Sequence, residues 1–173
     1  TYETPEDTPL IVPAPGLLGN DSDVDGDLLT PSVAAPPSNG ELVLSDDGSF
    51  VYTPTLNFNG MDYFSYNVWD GEFTDQAEVT ITVASVNDHP FAEAGDDQTA
   101  DEGQEVLLLG TVSDPGRNIG PQEVVDISWD LGDGRLVTGT LTVTHVYVDN
   151  GLFTVTLTVT DDMGSAGVDS LLV

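Results

Sequence analysis

Thirty-one acidic side chains stand against two arginines and no lysine, a formal charge of −29 over 173 residues. The acids are bunched between apolar segments: Glu6-Asp7, the run Asp21-Ser22-Asp23-Val24-Asp25-Gly26-Asp27, Asp46-Asp47, Asn87-Asp88, Asp96-Asp97 and Asp161-Asp162. Carboxylates a few Å apart repel by about 1 kcal/mol per pair even in bulk water. A loop tolerates that by staying solvated or by wrapping a hard cation, and oxygen-rich loops suit Ca²⁺, which takes roughly 6–8 oxygen ligands. Asp, Asn and Gly also favour plain solvated turns, and Asp46-Asp47 and Asp96-Asp97 are read as such turns. The spacing Asp21-x-Asp23-x-Asp25-Gly26 matches the opening of an EF-hand loop. The match ends at the twelfth loop position, where a bidentate Glu is required and Ser32 stands. The ion is kept and the motif name is dropped.

Other chemistries lack their parts. With no cysteine there is neither a disulfide nor a thiolate metal site. His89 and His145 are isolated, no Gly-x-Ser-x-Gly elbow occurs, and no apolar cleft is evident that would split two carboxyl pKa values into an acid and a base. A non-catalytic protein is expected. The charge disfavours nucleic acid and anionic lipid, which need Lys or Arg. No apolar run approaches the roughly 20 residues needed to span a membrane, so membrane insertion is not expected. Thr1 to Val173 reads as a piece of something longer.

The elements that position the acids are strands. Val79, Ile81 and Val83 alternate with Thr80 and Thr82; Val155, Leu157 and Val159 alternate with threonines; Ile127, Trp129 and Leu131 alternate with Ser128 and Asp130. Such period-two patterns give one buried and one wet face. Asn39-Gly40, Asp47-Gly48, Asn59-Gly60, Asp70-Gly71 and Asn150-Gly151 punctuate them as turns. Many short strands at this spacing predict an all-β protein of two tandem immunoglobulin-like Greek-key β-sandwiches. Pro90 cannot continue a ladder, and domains are placed at 1–88 and 89–173. Trp129 is expected in the core. Tyr147 reads as a tyrosine corner. Trp69 has two open uses, packing on the sheet or stacking on sugar rings with Phe58, Tyr63 and Phe73 nearby.

Residues 5 to 90 resemble a bacterial cadherin-like repeat, carried by Pro5-Glu6-Asp7-Thr8-Pro9-Leu10, Leu18-Gly19-Asn20-Asp21, Gly48-Ser49-Phe50-Val51-Tyr52-Thr53-Pro54, Asn57-Phe58-Asn59-Gly60 and Val86-Asn87-Asp88-His89-Pro90. Residues 91 to 173 resemble a PKD domain, an immunoglobulin-like module, through Trp129-Asp130-Leu131-Gly132-Asp133-Gly134, His145-Val146-Tyr147 and Gly151-Leu152-Phe153-Thr154-Val155.

Counting strands A to G places the acids. In the first sandwich Glu6-Asp7 and Asp62 fall at the end beside the linker Asn87-Asp88, and Asp21 to Asp27 with Asp70 fall at the other. In the second, Asp114 and Asp161 fall at the end facing that linker. An interdomain Ca²⁺ site of Glu6, Asp7, Asp62, Asn87, Asp88, Asp114 and Asp161 is therefore expected, and a second at the N-terminal pole from Asp21, Asp23, Asp25, Asp27 and Asp70. The cadherin resemblance implies the same clamp between successive domains. After Ser113-Asp114-Pro115 come Gly116-Arg117-Asn118 in place of further acids, which places a positive charge beside the clamp. The expected role is a Ca²⁺-stiffened extender or adhesion segment of a large secreted or cell-surface bacterial protein. Its partners are neighbouring domains of the same polypeptide, and it is a monomer as a fragment unless Ca²⁺ drives self-association. The alternative is a carbohydrate- or protein-binding accessory module of a secreted polysaccharide-degrading or proteolytic enzyme.

Overall fold

The structure is a computed structural model that describes residues 1–114 and 124–173. The chain divides into two compact units, Thr1–Val86 and Asn87–Val173.

The first unit has seven strands: β1 (Tyr2–Pro5), β2 (Leu10–Val12), β3 (Thr30–Ala35), β4 (Gly40–Leu44), β5 (Phe50–Pro54), β6 (Gly60–Trp69) and β7 (Thr74–Ala84). One sheet runs β1-β7-β6-β3 and the other β2-β5-β4. The first strand lies parallel to the last, Tyr2 opposite Ile81 through Pro5 opposite Ala84. The remaining pairs are antiparallel. The alternation expected on the last strand is present: Val79, Ile81 and Val83 are buried. They meet Phe50, Tyr52, Phe64 and Tyr66 in one core, where Phe50 packs edge-on against Phe64 with ring centroids 5.6 Å apart. Each such ring removed from water contributes about 1.5–3 kcal/mol. Strand β2 is only three residues long, because Pro13 has no N–H to extend the ladder. The chain then enters a short 3-10 helix, Gly16–Gly19, which drops Leu17 into the core and delivers the acidic loop.

In the second unit the described strands are β8 (Phe91–Glu93), β9 (Glu105–Leu109), β10 (Thr111–Ser113), β11 (Val124–Asp130), β12 (Leu136–Thr138), β13 (Thr142–Val146), β14 (Thr154–Asp161) and β15 (Ala166–Leu172). The main sheet is β12-β11-β14-β15, faced by the pairs β13-β9 and β10-β8. Trp129 is fully buried among Leu108, Leu131, Val155, Leu157 and Val159, as its alternation predicted. Its indole N–H donates to the Thr140 carbonyl at 3.1 Å, so no polar atom of the ring is stranded. Gly110 sits directly over it. A Cβ there would lie 2.8 Å from the Trp129 ring and 2.7 Å from Leu157, so the break between β9 and β10 carries no side chain.

Turn dipeptides sort by their second role. Asp47-Gly48 and Asp70-Gly71 close the hairpins β4–β5 and β6–β7, with Gly48 at φ 82° and Gly71 at φ 107°. Asn39-Gly40, Asn59-Gly60 and Asn150-Gly151 instead stand where the chain leaves one sheet for the other.

Candidate metal-binding loops

The acidic loop of the first unit is folded by its own carboxylates. Asp21 Oδ2 accepts the Tyr66 hydroxyl at 3.1 Å, tying the loop to the core. Burial, with the neighbouring Asp21 carboxylate, pushes the Tyr66 hydroxyl up to about 12. Asp23 Oδ1 accepts the N–H groups of Asp25 at 2.8 Å and Asp27 at 3.0 Å. The Asp27 N–H above all holds the Asp23 carboxyl below the usual range. Across the same end, Asp70 Oδ1 takes the N–H groups of Glu72 at 2.7 Å and Phe73 at 2.6 Å, closing the β6–β7 hairpin.

Asp21, Asp23 and Asp70 line one cleft of about 360 Å³, together with Asn20, Phe73 and Asp75. Asp25 and Asp27, expected in the same set, lie outside that lining. Asp21, Asp23 and Asp70 each commit one oxygen to the fold, and no hydrogen bond engages Asp21 Oδ1, Asp23 Oδ2 or Asp70 Oδ2 among the described residues. The donor set is all oxygen, hard and anionic, which fits calcium in type. Among the described residues, however, no three His, Asp or Glu side chains are drawn together closely enough to hold an ion by themselves. Backbone carbonyls and water would have to complete the shell.

At the far end of this unit the expected residues behave differently from one another. Glu6 is buried at 2% exposure; its Oε1 accepts the Val86 N–H at 2.5 Å and its Oε2 the Asn59 amide at 3.3 Å. Asp7 adopts φ 57°, is exposed, and takes the Asn57 N–H at 2.8 Å. Asp62, expected among the same ligands, is enclosed by protein donors. It points inward on β6 at 2% exposure. Its Oδ1 accepts the N–H groups of Ser38 and Tyr63, each at 3.0 Å, and its Oδ2 accepts the Asn39 N–H and the Tyr52 hydroxyl, each at 2.9 Å. Four donors fill a carboxylate's roughly four lone-pair sites, so Asp62 holds the β3–β4 crossover.

In the second unit Asn87 and Asp161 meet. The Asn87 amide donates to Asp161 Oδ2 at 2.7 Å and to Ser165 Oγ at 3.0 Å. Asp161 Oδ1 takes the N–H groups of Met163 and Ser165, each at 2.8 Å. The Asn87 amide, before any other contact, holds the Asp161 carboxyl below its usual range. Asp88 follows Asn87, and Asp114 follows β10; both are half-buried. Arg117, expected to place a positive charge here, lies outside the described residues.

The sequence reading missed one pair. His145 on β13 and Asp133 in the β11–β12 turn approach to 2.8 Å. Beside them the Tyr147 hydroxyl donates to the Leu131 carbonyl at 2.9 Å, so the expected tyrosine corner reaches a turn sixteen residues upstream instead of its own. The signal was present in the shared parity of His145 and Tyr147. The aromatics grouped with Trp69 separate. Phe58 packs on the core, Phe73 lines the cleft, and Trp69 and Tyr63 stand exposed on one strand.

The match to known families follows the two units. Residues 1–84 match the model of the cadherin-like domain and residues 87–172 that of the PKD domain. Human protocadherin-24 EC1-2 is similar over 87% of this chain and 82% of its own, at 15% identity and a TM-score of 0.51, a likeness of fold. The PKD1 domain of Vibrio anguillarum Epp matches 51% of this chain and 94% of its own at 25% identity, TM-score 0.40. An endo-fucoidan hydrolase of glycoside hydrolase family 107 matches 99% of this chain at 17% identity, TM-score 0.44, and the chain spans 27% of that enzyme's length. Both families are non-catalytic modules typical of extracellular proteins, and no helix among the described residues is long and apolar enough to cross a membrane. Two sandwiches with this strand order and these motifs make the chain a cadherin-like domain followed by a PKD domain.

Proposed function

We propose that this pair is a calcium-binding extender or adhesion segment of a large secreted or cell-surface bacterial protein. The observation that carries the reading is the cleft of the first unit, where Asp21, Asp23 and Asp70 each pin the fold with one oxygen and keep the other uncommitted. A loop held in this way is partly preorganised, so an ion meets ligands that have already lost much of their freedom. Bound calcium would offset the repulsion that the loop otherwise carries. Membership of the cadherin-like family supports the same ion. Glu6, Asp7, Asn87, Asp88, Asp114 and Asp161 remain proposed calcium ligands; Asp62 leaves that set.

The test is calorimetric titration with CaCl₂ of the two-domain chain and its Asp23→Ala/Asp70→Ala variant. At a calcium concentration 100 times Kd, stability rises by about 2.7 kcal/mol, which lifts the melting temperature of a domain this size by roughly 10 °C or more. The variant should lose one class of sites and most of that rise in the first unit. An extended, calcium-dependent scattering profile would support stiffening. No heat of binding and an unchanged melting curve at millimolar calcium would remove the proposal.

A further inference from the structure

We propose that the outer face of β3, β6 and β7 binds a neutral polysaccharide strand, a reading tested separately from the calcium one although Thr74 and Gln76 of this face also line the acidic cleft. Along β6 the even positions Asp62, Phe64 and Tyr66 are buried, which turns the odd positions outward. Trp69 at one end is 51% exposed and Tyr63 near the other is 46% exposed. Neither belongs to the core of this unit or packs against it, so burial does not account for them. Six residues of strand separate them, about 20 Å.

Between the rings lies a hydrogen-bonding band of amides and hydroxyls, with the acid Glu78 opposite Ser65. Asn67 faces Gln76 on β7 and Ser32 on β3 in direct register. The Gln76 amide donates to Ser65 Oγ at 3.1 Å, which orients it and keeps its carbonyl oxygen as an acceptor. In the outward pairs Tyr63–Thr80, Ser65–Glu78, Asn67–Gln76 and Trp69–Thr74 one side chain is acidic, on a chain that carries 31 acids.

That arrangement selects its occupant. The C–H faces of a pyranose ring are apolar and stack on an exposed aromatic, and its hydroxyls donate to and accept from amides and hydroxyls, which do both. A polyanionic glycan would approach a body of charge −29 and be repelled. A cationic ligand would find one carboxylate on these outward pairs, Glu78, against several in the neighbouring loops. A protein partner would be expected to bury a central aromatic anchor inside a polar rim; here the rings are at the ends and the polar groups in the middle. The length fits an extended chain of sugars.

Native affinity electrophoresis of the two-domain chain tests this, in gels containing xyloglucan, galactomannan or mixed-linkage β-glucan, with alginate and a sulfated galactan as anionic arms, each with CaCl₂ and with EDTA. The expected result is retardation by at least one neutral polymer, unchanged by EDTA. Trp69→Ala should weaken it roughly tenfold or more, the loss typical of an aromatic anchor, and Asn67→Ala should weaken it by a smaller factor. Melting curves should show both variants folded, Trp69 being half-exposed and Asn67 half-buried on the outer face. No retardation by any of the neutral polymers, retardation by the anionic ones alone, or retardation that survives Trp69→Ala would overturn the proposal. Because the calcium reading is judged by titration heat and the glycan reading by EDTA-insensitive retardation, either can fail alone.

Discussion

A carboxylate's partners decide whether it is free to do chemistry. Asp62 and Asp23 are both acids in a chain full of acids, yet Asp62 receives four protein donors and Asp23 keeps one oxygen unused. Burial by itself pushes the Asp62 carboxyl up, but the N–H groups of Asn39 and Ser38 with the Tyr52 hydroxyl hold it, on balance, below the usual range. A depressed folded pKa gives stability that is present above the unfolded value near 3.9 and is lost as pH falls through the folded one. The first unit should therefore lose stability below about pH 4, and Asp62→Ala should flatten that part of the profile. Removing the carboxylate also strands several buried donors, at about 1–3 kcal/mol each before relaxation. Asp62→Ala should thus cost about 3 kcal/mol or more, read by urea unfolding at pH 7. A loss under 1 kcal/mol would show that water replaces the carboxylate and that the crossover does not depend on it.

At the scale of elements, strands were legible and their partners were not. Period-two alternation located the core faces of β7, β11 and β14, because each buries one side only. The turn dipeptides marked the ends of strands but not whether the next strand paired with the last. Asp47-Gly48 closes a hairpin while Asn39-Gly40 hands the chain to the other sheet, and that choice is made by packing far from the turn. Ligand roles were legible only as charge. Asp62 looked like a linker-side acid because strand parity gives a position along the fold, not the donors around a side chain. The β11–β12 turn shows how tightly such elements are fitted. Gly132 sits at φ 77°, and a Cβ there would lie 2.5 Å from the Thr154 carbonyl oxygen. Gly132→Ala is expected to cost about 3 kcal/mol through strain and displaced backbone. Tyr147→Phe removes one hydrogen bond to Leu131 while keeping the stack on Phe153, whose ring centroid is 4.2 Å away. It should cost only about 1 kcal/mol. Buried Trp129 reports both by fluorescence of the second unit, and a larger loss from Tyr147→Phe than from Gly132→Ala would contradict this ranking.

For the whole molecule the charge of −29 has two consequences that a careless experiment would merge. Self-repulsion opposes compaction in any sequence so unbalanced, and any salt relieves it, with a screening length of about 8 Å at 0.15 M ionic strength. A calcium-induced rise in melting temperature would by itself not distinguish a bound ion from a screened surface. Screening depends on ionic strength and valence, whereas a loop built for calcium discriminates by ligand number and flexibility. Magnesium demands a tight octahedron and sheds water reluctantly. The experiment is a melting series in 0.15 M KCl with equal millimolar CaCl₂ or MgCl₂, preceded by a KCl series from 0.01 to 0.5 M, all three being design concentrations on the order of the screening scale. KCl alone should raise stability gradually and level off as the Debye length falls to a few Å. Calcium should add a further rise on top of that plateau, saturating with concentration, and magnesium should reproduce only a small part of it. The Asp23→Ala/Asp70→Ala variant should keep the KCl response and lose the calcium increment in the first unit. If magnesium matches calcium point for point, or the variant responds as the parent does, the acids act as a diffuse surface charge and the loops hold no particular ion.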